Sequence, residues 1–355
     1  MRPRDAVMAA ALALPACSLG ASPGRFLAAD GDAATEVRAS SLVLVGGEEP
    51  APPPGLRRST ASALVATWKS DRSDLTSITP GFTLPVPGTY VPLALDDAPA
   101  FVGATAERED AVSTAYPTGP LVLVRSSRNL NEAWSVGAGP AIPVPRATLA
   151  ASGSFVFIVG SASSYVAAVD PKTLTAGPFR RLGKPLATLR TVPAVCFVGT
   201  DLYVVGGETP PDETSAAVDH TRLDPATGDL GAFAAQRPLT NKGQPSAVVG
   251  ATCVGAQGRL YVLGGASVDT VLSAAIGEGG VLEPWREEAP LPTPLAGGSA
   301  VVRDRELIVV GGVKTGGALS DRVHVAAISA TGSLTWRTLD RVLPRGVAFA
   351  GVRAF

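Results

Sequence analysis

Three arginines close proline-rich stretches: Arg146 in Pro143-Val144-Pro145-Arg146, Arg345 in Val342-Leu343-Pro344-Arg345 and, more loosely, Arg190 at the end of 185–190. A guanidinium offers a planar fork of donors that suits a carboxylate or an anionic sugar. These arginines are therefore candidates to bind such a group, or else to hydrogen-bond loop carbonyls. Charged stretches elsewhere add Glu48 (Glu48-Glu49-Pro50), Glu208 (Glu208-Thr209-Pro210-Pro211-Asp212-Glu213) and Lys314 (Lys314-Thr315-Gly316-Gly317) to the ligand-binding candidates. The two histidines, His220 and His324, lie far apart in the sequence, make a poor metal pair and read as locally satisfied strand residues. Nothing has the spacing of a calcium loop. Cys196 and Cys253 have no histidine near them in sequence, so a nucleophilic role has no support. No catalytic constellation emerges, and no cofactor or metal is expected.

The elements that position these residues recur. A short apolar run closes on a glycine pair in Leu42-Val43-Leu44-Val45-Gly46-Gly47, Leu202-Tyr203-Val204-Val205-Gly206-Gly207, Leu260-Tyr261-Val262-Leu263-Gly264-Gly265 and Leu307-Ile308-Val309-Val310-Gly311-Gly312. Degraded copies stand at Phe101-Val102-Gly103-Ala104 and Phe155-Val156-Phe157-Ile158-Val159-Gly160. The six anchors fall at 47, 103, 160, 207, 265 and 312, in steps of 56, 57, 47, 58 and 47 residues. Such a period is that of a four-stranded propeller blade, about 40–50 residues. β-branched and aromatic residues make each run a strand, and glycine ends it where the backbone turns or another strand approaches. A second apolar strand precedes the better copies across hairpin turns at Gly199-Thr200-Asp201, Gln257-Gly258-Arg259 and Asp304-Arg305. Alternating segments follow, and a fourth strand carries Trp134, Phe179, Phe233, Trp285 or Trp336.

The last residues, 345–355, look like a first strand with no anchor run after it, while 41–47 is an anchor run with no first strand before it. Joined, they complete one blade and leave no open sheet edge. The expected architecture is all-β, a six-bladed propeller closed by pairing of the N- and C-terminal strands; a seventh blade would require an extra sheet within 90–134. Cys196 and Cys253 then occupy matching places in neighbouring blades. Two buried thiols are favoured over a disulfide, because equivalent points of adjacent blades are expected to exceed the reach of cysteine.

Across 40–355 the chain resembles the kelch-repeat β-propellers, most closely from residue 188 onward. The resemblance implies that the tryptophans pack against the glycine pair of their own blade, so Trp134, Trp285 and Trp336 are read as core. It also implies that Arg146, Arg190 and Arg345 sit near one mouth of the central channel. Copper oxidases of this fold use histidines that this chain lacks. Sialidase-like propellers carry an Asp-box turn that 329–336 approaches without its aspartate.

At the N-terminus, Met1-Arg2-Pro3-Arg4 precedes an apolar stretch too short to span a bilayer, and Leu14-Pro15-Ala16-Cys17 resembles a bacterial lipobox. The expected organisation is a signal peptide over 1–17 with lipidation at Cys17, a flexible tether over 18–38 and the propeller over 39–355. Thirty basic against 31 acidic side chains give a formal charge of −1, which leaves no long-range field to gather nucleic acid. The function expected is that of an exported module, in the bacterial envelope or secreted. It would bind a protein or glycan through its loops, contact the membrane only through a lipid anchor, and be monomeric. The alternative is a carbohydrate-active enzyme, mutarotase- or lyase-like, that uses the channel-mouth arginines; six-bladed kelch proteins include sialic-acid mutarotases.

Overall fold

The apolar runs are hydrophobic at every position because each is buried on both faces, as a strand sandwiched between two neighbouring sheets must be. In the computed structural model, Leu42 and Leu44 pack toward one neighbouring sheet and Val43 and Val45 toward the other. Leu202 and Val204 are likewise divided from Tyr203 and Val205, and Leu307 and Val309 from Ile308 and Val310. The structure describes residues 41–354, apart from 52–55, 70, 96–97, 108–115, 127–129, 131–133, 161, 210–212 and 267. The expected signal segment, lipobox with Cys17 and tether lie outside the described residues.

The sheets form six antiparallel blades. Blade I runs from Gly351–Ala354 at the centre through Ser41–Val45 and Ser62–Trp68 to Leu75–Thr83. Blade II comprises Gly88–Leu93, Ala100–Glu107, Tyr116–Arg125 and Ser135–Ala141. In blade III, Thr148–Ser152, Phe155–Val159 and Ser164–Asp170 are followed by two short outer segments, Thr175–Ala176 and Arg180–Leu182. Blade IV is Ala194–Val198, Asp201–Val205, Val218–Arg222 and Ala234–Ala235. Blades V (Thr252–Ala256, Arg259–Leu263, Val271–Ala275, Arg286–Glu287) and VI (Ser299–Arg303, Glu306–Val310, Val323–Ile328, Leu334–Thr338) complete the ring. Each innermost strand contacts the innermost strand of the next blade, and VI contacts I. The expected clasp is present, with Leu42 opposite Ala354 and Val45 opposite Gly351. The chain is thus a six-bladed β-propeller. Its apolar core is divided into six clusters, one at each joint between blades.

The glycine pairs have a different neighbour from the one the kelch resemblance implies. The atoms nearest them belong to the start of the innermost strands and the loops that enter them, not to the tryptophans. In every full copy the N–H of the second glycine donates to a carbonyl at the entry of the next blade: Gly47 to Gly88, Gly207 to Val248, Gly265 to Leu295 and Gly312 to Val347, at 2.7–2.9 Å. The residue that follows donates back to the entry loop of its own blade, as Glu48 does to Ala348 and Val313 to Ala296. The tryptophans instead fill joints. Trp134 stacks on Phe82 and Phe101 between blades I and II. Trp285 and Trp336 pack against the IV–V and V–VI clusters and donate Nε1 to Arg237 O and Ala289 O.

A side chain at these glycines has no room. Gly264 has φ +61, and an added Cβ would stand 2.2 Å from Leu295 O. We expect Gly264→Ala to destabilise the domain by about 2–4 kcal/mol through strain and the displaced loop. Gly183→Ala, at an open position, should change stability by less than about 0.5 kcal/mol. Urea unfolding of the two variants beside the parent measures the contrast.

Candidate functional site

Because the glycine pairs bond the blade-entry loops, both sets of loops share one face of the ring, and the central channel opens there. A cavity of about 250 Å³ occupies this mouth, lined by the first residues of all six innermost strands. Its wall is made of small and apolar groups such as Ala147, Val192, Pro193, Ala251 and Phe349. Among the described residues lining it there is no carboxylate, ammonium, guanidinium or imidazole. Three of its hydroxyls are turned into the wall, while Thr89 Oγ1 has no hydrogen-bond partner among the described residues. Thr148 Oγ1 donates to Pro193 O at 2.7 Å, Ser299 Oγ to Ala350 O at 2.6 Å, and Thr252 Oγ1 to Gly298 O, each joining one blade to the next. These residues were not singled out by sequence reasoning. The signal was available: Thr148, Thr252 and Ser299 each stand twelve or thirteen residues before the closing glycine of their blade.

At the IV–V joint the tie is covalent. Cys196 and Cys253 form a disulfide with Cα atoms 5.8 Å apart, which corrects the expectation of two separate thiols. The blades converge toward the channel, so equivalent points that diverge at the rim come within cysteine reach on the innermost strands. Cys253 lines the cavity.

The six charged candidates gather on this face but not around one point. Arg146 and Glu208 meet in a 2.6 Å ion pair between the entry loop of blade III and the loop after the blade IV glycine pair. Arg345 Nε lies 2.8 Å from Glu49 Oε2, and its Nη2 donates to Ser62 Oγ. Glu48 is buried, 3.2 Å from Arg57 of the adjoining hairpin strand. Lys314 begins a tight turn that Gly317 N closes on its carbonyl, with no side-chain ion pair among the described residues. Arg190 departs furthest from a mouth ligand, because both it and its partner Asp219 are 0% exposed. Its Nη1 donates to Asp219 Oδ2 at 3.0 Å and to Thr188 O, and its Nη2 to Val204 O at 2.6 Å. Desolvation pulls its pKa down and the Asp219 charge opposes this. Breaking such a pair strands a buried charge, so Arg190 ties the entry loop of blade IV to that blade's own strands rather than facing a ligand.

Both histidines lie inside blades, and the Nε2 of His324 is buried without a hydrogen-bond partner among the described residues. His220 Nε2 lies 2.8 Å from Asp201 Oδ1, and its ring packs 5.0 Å from that of Tyr203. His324 Nδ1 lies 2.8 Å from Thr338 Oγ1. Among the described residues no group of three or more His, Cys, Asp or Glu is arranged to hold a metal ion, and no helix is long and apolar enough to cross a membrane.

Fold and site together define a β-propeller whose mouth is apolar and rimmed by paired charges. Among solved structures the chain resembles YjhT with a TM-score of 0.56 at 12% identity, over 85% of this chain and 98% of that one. At this identity the likeness speaks for the fold alone. No known family model matches the chain, and no curated protein matches it in sequence.

Two outcomes follow. Reducing the disulfide, or the Cys196→Ala/Cys253→Ala double variant, should lower stability by about 2–4 kcal/mol, read as a shift of the urea midpoint that reductant reproduces in the parent and not in the variant. Burial, reinforced by Arg322, lowers the His324 pKa to about 4. The unfolded chain therefore binds a proton between about pH 6.5 and 4 that the folded chain refuses, and stability falls as pH drops through that window. His324→Gln should flatten this part of the urea midpoint against pH curve.

Proposed function

We propose that this kelch-type propeller is exported to a bacterial envelope, anchored through a lipidated Cys17, and serves as a binding module without catalysis of its own. The observation that carries the reading is the composition of the mouth: the candidate arginines are engaged with Glu208, Glu49 and Asp219, while the described cavity wall offers apolar groups, hydroxyls already donated to the next blade and the lone unpartnered hydroxyl of Thr89. Among the described residues, nothing at this mouth favours the carbohydrate-active alternative. Exposed apolar side chains stand on the same loops, Leu189 entering blade IV, Val268 after the blade V glycine pair and Val342 entering blade I. Apolar groups set among paired charges suit a protein partner, and loops on a rigid ring are where recognition is placed. A disulfide between blades fits an oxidising compartment.

Two measurements test the reading. Intact mass of the chain from the membrane fraction should correspond to a lipidated chain beginning at Cys17; a chain that retains Met1 overturns export. Crosslinking in envelope preparations should capture a specific protein, and the Leu189→Asp/Val268→Asp/Val342→Asp variant should lose that capture by about tenfold or more, as the loss of a few interface anchors does. A glycan array serves as the second arm. Turnover of a sugar, lost in Arg146→Ala or Arg345→Ala, would replace this reading with the enzymatic one.

A further inference from the structure

The joint between blades VI and I carries a second cluster, on the face opposite the cavity. Along Ser299–Arg303 alternate residues face blade I: Ser299 bonds Ala350 O, Val301 packs in the joint core, and the Arg303 guanidinium carbon lies 3.9 Å from the centroid of the Trp68 ring. Arg303 is 2% exposed. Its Nη2 pairs with Glu306 Oε2, and Glu306 Oε1 takes Arg337 Nη2 at 3.2 Å. Arg337 also donates to the carbonyls of Arg72 and Ser73, and Arg72 Nη1 pairs with the exposed Asp304 at 2.6 Å. Three guanidiniums thus share two carboxylates.

Among the described residues, four buried nitrogens in this cluster have no hydrogen-bond partner: Arg303 Nε and Nη1, Arg72 Nη2 and Trp68 Nε1. All are donors without acceptor capacity, so none can satisfy another, and an unsatisfied buried donor is costly, more so when charged. Desolvation acts most against the Arg303 cation, Glu306 and Asp304 oppose it, and the Arg72 charge adds to it. An added anion would act with the two carboxylates. Blade V closes its own version of this corner with protein atoms: Arg259 donates twice to Ser273 Oγ, and Arg286 donates twice to Glu288 Oε1.

We propose that a small tetrahedral oxyanion, phosphate or sulfate, binds between blades VI and I on the donors of Arg303, Arg72 and Trp68. Such an ion presents several acceptor oxygens to a set of groups that lacks only acceptors, and it balances the excess guanidinium. The side chains of Arg72 and Asp304 reach solvent beside it.

The test is calorimetric titration of inorganic phosphate, and separately of sulfate, into the full chain against chloride at matched ionic strength. Saturable one-site binding is expected, with a rise in melting temperature of about 2–4 °C at ten times the dissociation constant. Phosphate and sulfate also stabilise proteins generally by exclusion, so variants decide the outcome. Arg72→Gln, and Trp68→Phe, which keeps a ring while removing its N–H, should each weaken affinity about tenfold. Absence of saturable heat for both anions would mean that water satisfies these donors and would overturn the proposal. Equal affinity in the parent and both variants would overturn it too, by placing the ion elsewhere.

Discussion

One backbone hydrogen bond, made four times, sets the geometry on which the rest depends: the N–H of the second glycine of each pair donating to the carbonyl at the entry of the next blade. For that carbonyl to come within 2.7–2.9 Å, the second strand must end in two consecutive residues of positive φ with nothing projecting from either. Only glycine meets both conditions at low cost. The bond also removes the polar groups of two buried loops from the list of unsatisfied ones. With the strand end fixed to the following blade, the six joints can be filled by alternate residues of a single apolar run. The mouth of the channel is consequently walled by backbone and small side chains.

Different chemistry reinforces the same joints. Hydroxyls bridge III to IV, V to VI and VI to I at the channel, and a disulfide bridges IV to V. On the opposite face, Tyr203 and Tyr261 reach from the second strand of one blade to the carbonyls of Gly280 and Gly332 in turns of the next. Blades II and III lack a full glycine pair. In blade II the second strand runs on to Glu107 with a bulge instead of stopping, and near the III–IV joint Val192 N bonds Arg146 O directly. The repeat therefore tolerates loss of its signature where another contact between loops takes over.

Much of this was legible in the residues. Strand composition, hairpin turns and glycine spacing are local signals, and the unmatched half-blades at the two ends foretold the pairing of Leu42 with Ala354. What stayed hidden is long-range. Nothing near Arg190 announces Asp219, which lies on a different strand and turns a loop arginine into a buried tie. Glu208 reads as a solvated loop acid until the entry loop of blade III brings Arg146 to it. Blade spacing read from the sequence alone sets the cysteines too far apart, because it omits the convergence of the blades at the axis, where their separation is smallest. The tryptophans followed the same logic: their places in the fourth strands were readable, their partners across the joints were not.

The two faces of the ring then differ in a way that follows from closure. On the cavity face every arginine candidate has found an acceptor in a loop or a neighbouring strand, which leaves shape and scattered apolar groups for recognition. On the opposite face at the VI–I joint, the residues come from the two ends of the chain: Trp68 and Arg72 from the N-terminal strands of blade I, and Arg303, Glu306 and Arg337 from blade VI. Elsewhere in the ring a short loop carries the chain from the last strand of one blade to the first strand of the next. Here three of the four strands of blade I are joined to blade VI only by non-covalent contacts. An arginine sheet-end facing an arginine turn across that joint is repulsive in the low dielectric of a buried site unless acceptors intervene, and Glu306 and Asp304 supply two for three cations. A bound oxyanion at this point would supply the missing negative charge where chain connectivity contributes least to cohesion.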